Sequence, residues 1–574
     1  MKLAIPSSVI IQSLYLLSRI NKISYVVGFN ALLSTSSRAF GERSLASGNF
    51  LSGTQRKMTA TSSEIDTLTA TSKSGELLST LREKLKSLNL DAYIIPPDDP
   101  HLSEYVASFY ARRAFISNFD GSAGTALVLR DSAYLWTDSR YFNQANSQLD
   151  SAHWTLMKDR LKDTPTITKF LTEKAKEKYE ESKGSFKVGI DPFVHSGDFV
   201  KELSDSFNAL SEDVANGDEA EEVGKVVSTE TNLVDELWGD DQPSLPTTAF
   251  RVHPIEYAGQ SVADKVKEVQ EKMKEEKAAL CVFSALDDIA YLLNVRGNDI
   301  SCNPVGISYA MIHENEGVTL YCNGDKLSNP EVVKQFDEAN VKIAPYNQIS
   351  EDITKFVSSS KSKLWIDTKR TNYAITSLVP KKQIVDKINP IVYMKSVKNE
   401  KELEGMRHAH IVDGVAMANF ISWLEEEVQD RAVDELEIDV KLDSCRAAQE
   451  GFIEPSFPTI AGVGPNGAII HYRAHDDELL KKLDLTQPIL IDSGGQYVFG
   501  TTDVTRTWFF GSDISTEYKT MYTSVLKCNI LLDTTIFPEN TPGFVVDAFA
   551  RRALWANQRD YGHGTGHGVC FFKI

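Results

Sequence analysis

The stretch Ile489-Leu490-Ile491-Asp492-Ser493-Gly494-Gly495 is an apolar strand pattern that admits one carboxylate near its end. Soon after it comes Gly500-Thr501-Thr502-Asp503-Val504-Thr505-Arg506-Thr507, a Thr- and Val-rich run that brings in a second. Glycines between the two turn the chain back. In an antiparallel hairpin, residues flanking such a turn can face the same side. Two carboxylates so placed repel and shift each other's pKa, so something cationic must compensate. Arg506 is one answer. A divalent metal held by both carboxylates is the other.

Two further clusters flank this pair. Gly464-Pro465-Asn466-Gly467-Ala468-Ile469-Ile470-His471-Tyr472 reads as a turn feeding a short strand that ends on a histidine. Taken alone, His471 fits a structural or surface residue better than a catalytic one. Tyr561-Gly562-His563-Gly564-Thr565-Gly566-His567-Gly568 has the alternating glycines of a phosphate loop but not its Gly-Lys-Ser/Thr ending. It also shares the His-x-x-x-His spacing of zinc proteases, yet Gly564 and Gly566 disfavour a helix and the glutamate after the first histidine is missing. Glycines around histidines suit a backbone that approaches a substrate or a metal. Two carboxylates with imidazole are a sensible ligand set for Mn²⁺ or a similar ion. A serine-protease reading is weak: no Gly-x-Ser-x-Gly elbow occurs, and Phe119-Asp120-Gly121-Ser122-Ala123-Gly124 lacks the spacing.

The rest of the chain is long enough to carry this chemistry on a large scaffold. Its 574 residues suffice for three to four domains at ~100–200 residues each. They are 42% apolar and 25% charged, the profile of a globular protein with several cores. A net charge of −19 argues against nucleic-acid or anionic-membrane partners. The six cysteines form no Cys-x-x-Cys pair and are too sparse for a disulfide scaffold, so free thiols are expected.

Segments 77–88, 91–96, 115–129, 132–136 and 187–191 alternate helix- and strand-like patterns. The acidic stretch 211–242, followed by Pro243, Pro246 and Pro254, reads as an interdomain linker. A second αβ domain opens with the charged segment 262–277, a solvated helix face, and the strand 279–283. The third opens with a long helix capped by Asn399 and Glu402. Its Ile411, Val415, Ala418, Ile421, Leu424 and Val428 recur at helical spacing and are expected in the core, with Gly414 admitting close packing.

Residues 1–63 differ from the remainder. Seven basic side chains against Glu42 give +6, so residues 64–574 carry −25. Rich in Ser and poor in acids, the segment resembles an organellar transit peptide. A secretory signal and an upstream extension before a cytosolic start at Met58 are the other readings. No run reaches the ~18 apolar residues of a membrane span.

At these clusters the sequence resembles Xaa-Pro aminopeptidase (aminopeptidase P) of the three-domain eukaryotic type, within the creatinase, prolidase and methionine aminopeptidase superfamily. The motifs Arg112-Arg113-Ala114-Phe115, Phe119 to Thr125 and Trp136-Thr137-Asp138 to Tyr141 carry the resemblance in the first domain. Ala285-Leu286-Asp287-Asp288-Ile289-Ala290 and Asn303-Pro304-Val305 carry it in the second, and Ser456-Phe457-Pro458-Thr459-Ile460 with the clusters above in the third. The resemblance implies a mixed α/β and α+β fold. Two creatinase N-terminal-like αβ domains (76–242 and 245–395) would precede a pita-bread metallopeptidase domain (396–574), commonly as a homodimer. It implies two divalent metals, most often manganese, that activate a water to cleave peptides with proline at position two. Asp492, Asp503 and His567 would be metal ligands. His471 and His563 would be catalytic, orienting the scissile carbonyl and lining the proline pocket. No nucleic acid or membrane partner is implied. Localisation would be cytoplasmic from Met58, or mitochondrial if the leader is used.

The family motif also continues into two glutamate ligands. Only Gly568-Val569-Cys570-Phe571-Phe572-Lys573-Ile574 follow His567, and the last glutamate is Glu539. The expectation is therefore an incomplete pita-bread domain and an inactive form. A non-catalytic dimerising or peptide-binding relative is the alternative.

Overall fold

The computed structural model describes residues 67–215, 222–474 and 480–569. The leader reading of residues 1–63, the start at Met58, and residues 570–574 with Cys570 lie outside them.

The strand Ala92–Ile95 shows how the first unit is built. All four residues are buried, Tyr93 and Ile95 against the helix Thr67–Ser87, and Ala92 and Ile94 against the helices Ile167–Ser182 and Gly197–Ala215. A strand buried on both faces needs helices on both sides. It sits inside a six-stranded sheet ordered Thr155–Lys158, Ala133–Thr137, Thr125–Leu129, Ala92–Ile95, Phe186–Ile190, Gly224–Ser228.

The second unit repeats the plan. Its sheet runs Val341–Pro345, Gly317–Cys322, Ser308–His313, Ala278–Phe283, Lys363–Trp365, Ile384–Val385. The sequence of parallel and antiparallel pairings is the same as in the first sheet. The two N-terminal units are thus one topology used twice.

Two expectations fail here. Residues 211–242 are not a linker: the strand Gly224–Ser228 joins the first sheet, and the helix Leu233–Trp238 buries Leu233 and Val234 in its core. Part of the acidity that suggests a linker is matched to cations of the fold: Asp235 holds buried Arg112 through two 2.6 Å bonds and Glu236 pairs with Lys84. Nor is the helix Val262–Glu276 solvated all along its charged face. Lys265 is buried, with Nζ 2.8 Å from both Tyr291 O and Asn294 Oδ1 and 3.7 Å from the Tyr291 ring centre.

The third unit begins with the helix Glu400–Asp430, and the expected cap is present: Asn399 Oδ1 accepts from the Lys401 and Glu402 amides, and Glu402 returns a bond to the Asn399 amide. Its buried face is Gly405, Ala409, Asp413, Ala416, Phe420, Leu424 and Val428. Leu424 and Val428 were expected there, but Ile411, Val415 and Ala418 are exposed. The true face is hidden by Asp413, a buried charge paired with Arg446, which breaks the apolar pattern. Gly414 faces open space, whereas a side chain on Gly405 would strike the Phe499 carbonyl oxygen. The helix packs with Glu435–Ala447 on the antiparallel strands Ile460–Val463, Ile489–Ser493 and Val504–Trp508. The helices Thr516–Asp533 and Gly543–Trp555 then lead into irregular chain up to residue 569.

Cys281, Cys302, Cys322, Cys445 and Cys528 are free thiols. Among the described residues, no helix is long and apolar enough to cross a membrane.

Candidate metal centre and peptide cavity

The strand Ile489–Ser493 is the middle of its three-stranded sheet, and Asp492 pairs across it with Ile460 on one side and Thr505 on the other. Thr505 Oγ1 donates to Asp492 Oδ1 at 2.6 Å. Arg506 pairs with Ile491, so alternation sends its side chain to the opposite face, where it donates to Thr505 O. It is not the cation that offsets the carboxylates. Nor is the connection a simple glycine turn, because Gly495–Tyr497 and Gly500–Thr501 form their own small hairpin. Gly494 is where the two arms close up: any side chain there would collide with Thr502 O and Ser456 Oγ.

Asp503 stands just before the strand Val504–Trp508. Burial and then the charge of Asp492 push its carboxyl up to about 7, while His567 and Arg446 pull the other way. That is the signature of two carboxylates sharing a confined space. His567 Nε2 lies 3.6 Å from Asp503 Oδ2.

His471 is not at the end of a strand. A 3₁₀ turn, Gly464–Ala468, precedes it, and its own φ is 58°. The loop is anchored from beneath by Glu435, a fully buried carboxylate. It accepts from the Val463 amide (2.7 Å), Asn466 Nδ2 (3.1 Å), the Tyr472 hydroxyl (2.7 Å) and the Lys481 amide (2.9 Å). Burial, Arg140 and Arg473 lower the His471 pKa to about 4, against the opposing charge of Asp138, so the ring is neutral.

The His563–His567 segment is irregular chain tied to the helix Gly543–Trp555. Arg551 donates to Tyr561 O (2.7 Å) and His563 O (2.8 Å), and Thr565 bridges Tyr561 and Asp547. Burial lowers the His563 pKa.

All five residues singled out from sequence, His471, Asp492, Asp503, His563 and His567, line one cavity of about 480 Å³. One side of its wall comes from the first unit: Glu104, Tyr105, Asp120 to Ser122, Arg140, Tyr141 and Gln144. Residue types alone assign none of these a role, although Phe119 to Thr125 and Trp136 to Tyr141 carry the family resemblance. Such motifs in an αβ domain without catalytic residue types of its own were the available signal. The donor chemistry of Asp492, Asp503 and His567 fits a hard divalent ion. Among the described residues, however, no three His, Cys, Asp or Glu side chains converge tightly enough to hold one.

Two αβ units ahead of a carboxylate–histidine cavity define a class. The chain matches the Creatinase/Prolidase N-terminal domain over residues 78–221 and again over 241–402, and Metallopeptidase family M24 over 404–573. These are the creatinase N-terminal and pita-bread architectures expected from sequence. Among curated proteins it is 41% identical to "Probable Xaa-Pro aminopeptidase P" of Talaromyces marneffei, over 86% of this chain and 73% of that one. It is 40% identical to the Xaa-Pro aminopeptidase of Drosophila melanogaster, over 87% and 78%. It superimposes on the X-prolyl aminopeptidase of Caenorhabditis elegans with a TM-score of 0.80 and 33% identity, covering 87% of this chain and 80% of that one. That enzyme is described as cytosolic, with a di-nuclear active site. The chain belongs to the Xaa-Pro aminopeptidase P family of the M24 metallopeptidases.

Proposed function

We propose that this protein is a metal-dependent aminopeptidase that releases the N-terminal residue from peptides with proline at position two. The observation that carries the reading is the convergence of two carboxylates and three imidazoles on one cavity, walled on the far side by the first αβ unit. The reading includes the division at 76–242, 245–395 and 396–574, a homodimer and a cytosolic location, the last supported by the description of the nematode relative.

Asp492, Asp503 and His567 would hold the metal pair, with Mn²⁺ the expected ion. The bound metals would act as Lewis acid and lower the pKa of the attacking water. The chain's own residues do the rest. Neutral His471 donates a hydrogen bond to the scissile carbonyl, and His563 lines the space for the proline ring. Glu104 and Asp120 on the first unit put negative charge where a peptide's α-ammonium would enter. Enclosure between units limits water around the carbonyl and strengthens each of these polar contacts.

The second reading is a non-catalytic dimerising or peptide-binding relative. Purified protein with added Mn²⁺ and an Arg-Pro-Pro-type peptide separates these. Release of the N-terminal arginine would refute the non-catalytic reading. Binding of the peptide without cleavage would refute the peptidase reading.

A further inference from the structure

The side chain that holds His471 comes from the other wall of the cavity. Tyr141 is almost fully buried at the start of the helix Phe142–Gln148, and its hydroxyl is hydrogen-bonded to His471 Nδ1. The two rings meet edge to face, with centroids 5.3 Å apart. Ser122 approaches the same phenolic oxygen with its hydroxyl, 2.6 Å away, and with its backbone amide. Gly121 makes the approach possible, since a side chain there would run into the Phe119 and Tyr141 rings. The contact spans 330 residues of sequence and joins two folding units at one imidazole nitrogen.

The direction of the bond follows from the inventory of donors. A backbone amide only donates, so Ser122 N–H occupies one lone pair of the phenolic oxygen. A phenol is a better donor than acceptor, because its oxygen lone pair is shared with the ring. The unprotonated nitrogen of a neutral imidazole is the best neutral acceptor nearby. The pairing that satisfies both sends the Tyr141 proton to Nδ1, with the Ser122 hydroxyl donating to Tyr141 in turn. Arg140 and Arg473 face the same imidazole and oppose a second proton on it, while Asp138 acts the other way and His563 adds a weaker opposition. The reverse arrangement, with Nδ1–H donating to Tyr141, would leave Nε2 without a proton and give the cavity an acceptor.

We infer that Tyr141 is a positioning residue that locks His471 in the tautomer protonated on Nε2, and that Ser122 and Gly121 hold Tyr141 in place to do so. His471 then presents a neutral N–H donor to the cavity. This deepens the peptidase reading and rests on it only for what that donor meets, a peptide carbonyl.

The test is a nitrogen NMR spectrum of the 574-residue protein labelled at its histidines, with His471→Gln identifying the resonance. The wild-type protein is expected to show a pyridine-like Nδ1 and a pyrrole-like Nε2. Tyr141→Phe keeps the ring and is expected to move both toward the average of two tautomers. A protonated Nδ1 in the wild type, or an unchanged spectrum in Tyr141→Phe, overturns the assignment. Should Tyr141→Phe fail to fold, the wild-type spectrum alone decides. Turnover contributes nothing to these spectra, so failure of the peptidase reading would register separately, in the peptide assay.

Discussion

Arg446 and Asp413 form an ion pair sealed inside the third unit, Nε to Oδ1 at 2.7 Å, with side chains 0% and 5% exposed. The Tyr497 hydroxyl donates to the same Asp413 oxygen at 2.9 Å, and Arg446 Nη2 reaches Ser493 Oγ at 3.1 Å. Ser493 adjoins Asp492, so the pair ties the long helix to the end of the carboxylate strand. Breaking it strands a buried charge, which costs about 3–5 kcal/mol. Asp413→Ala is expected to destabilise the protein by that amount in denaturant melts. Asp413→Ala with Arg446→Met should recover most of the loss.

Glu435 has the same status for the loop that carries His471. Glu435→Ala removes the acceptor of the Val463 and Lys481 amides and one acceptor each from Asn466 and the Tyr472 hydroxyl, at about 1–3 kcal/mol for each group left unsatisfied. The expected outcome is a loss of at least about 3 kcal/mol. Hydrogen exchange should quicken across residues 463–472 first, and wild-type protection there would refute the anchoring role.

The glycines of the long helix should respond in opposite directions. Gly414→Ala adds a methyl in open space and removes a helix-destabilising residue, so thermal melts should show a gain approaching about 1 kcal/mol. Gly405→Ala pushes a methyl into the Phe499 carbonyl and should lose stability instead. Equal effects would refute the close approach of Gly405 to the Phe499 carbonyl.

His195 predicts the acid limb of the stability curve. It is buried in the first unit, and burial lowers its pKa from 6.5 to about 4. The unfolded chain therefore takes up a proton that the folded chain refuses. The contribution is fully present above pH 6.5 and is lost as the pH falls toward about 4, amounting to about 3 kcal/mol. His195→Gln is expected to flatten that slope in melts recorded between those limits. An unchanged slope would assign the acid sensitivity to other groups.

What could be read without coordinates was whatever rests on local pattern. The strands around Asp492 and Tyr93 announce themselves by apolar runs ended by glycine or proline, and Asn399 with Glu402 is a cap within four residues. The readings that failed depend on partners far away in sequence. Asp413 looks like a solvent residue until Arg446 is placed beside it, and so the helix face came out rotated. Asp235 looks like linker acidity until Arg112 is seen. Lys265 looks solvated until the Tyr291 carbonyl and Asn294 appear above it. For the cavity, the carboxylates and histidines were legible because their residue types carry the chemistry. Tyr141 and Ser122 were not, because a tyrosine and a serine gain meaning only from the imidazole that they meet.

The doubled sheet gives this chain two copies of one scaffold under different obligations. The first copy supplies a wall of the cavity and, through Tyr141, one proton position inside it. The second contributes no lining residue there. Swapping loops between the copies would therefore be an unequal exchange. The second could receive foreign loops wherever it does not meet its neighbours, as Cys302, Tyr309 and Tyr346 do, whereas the first is bound to the geometry of a nitrogen atom 330 residues downstream.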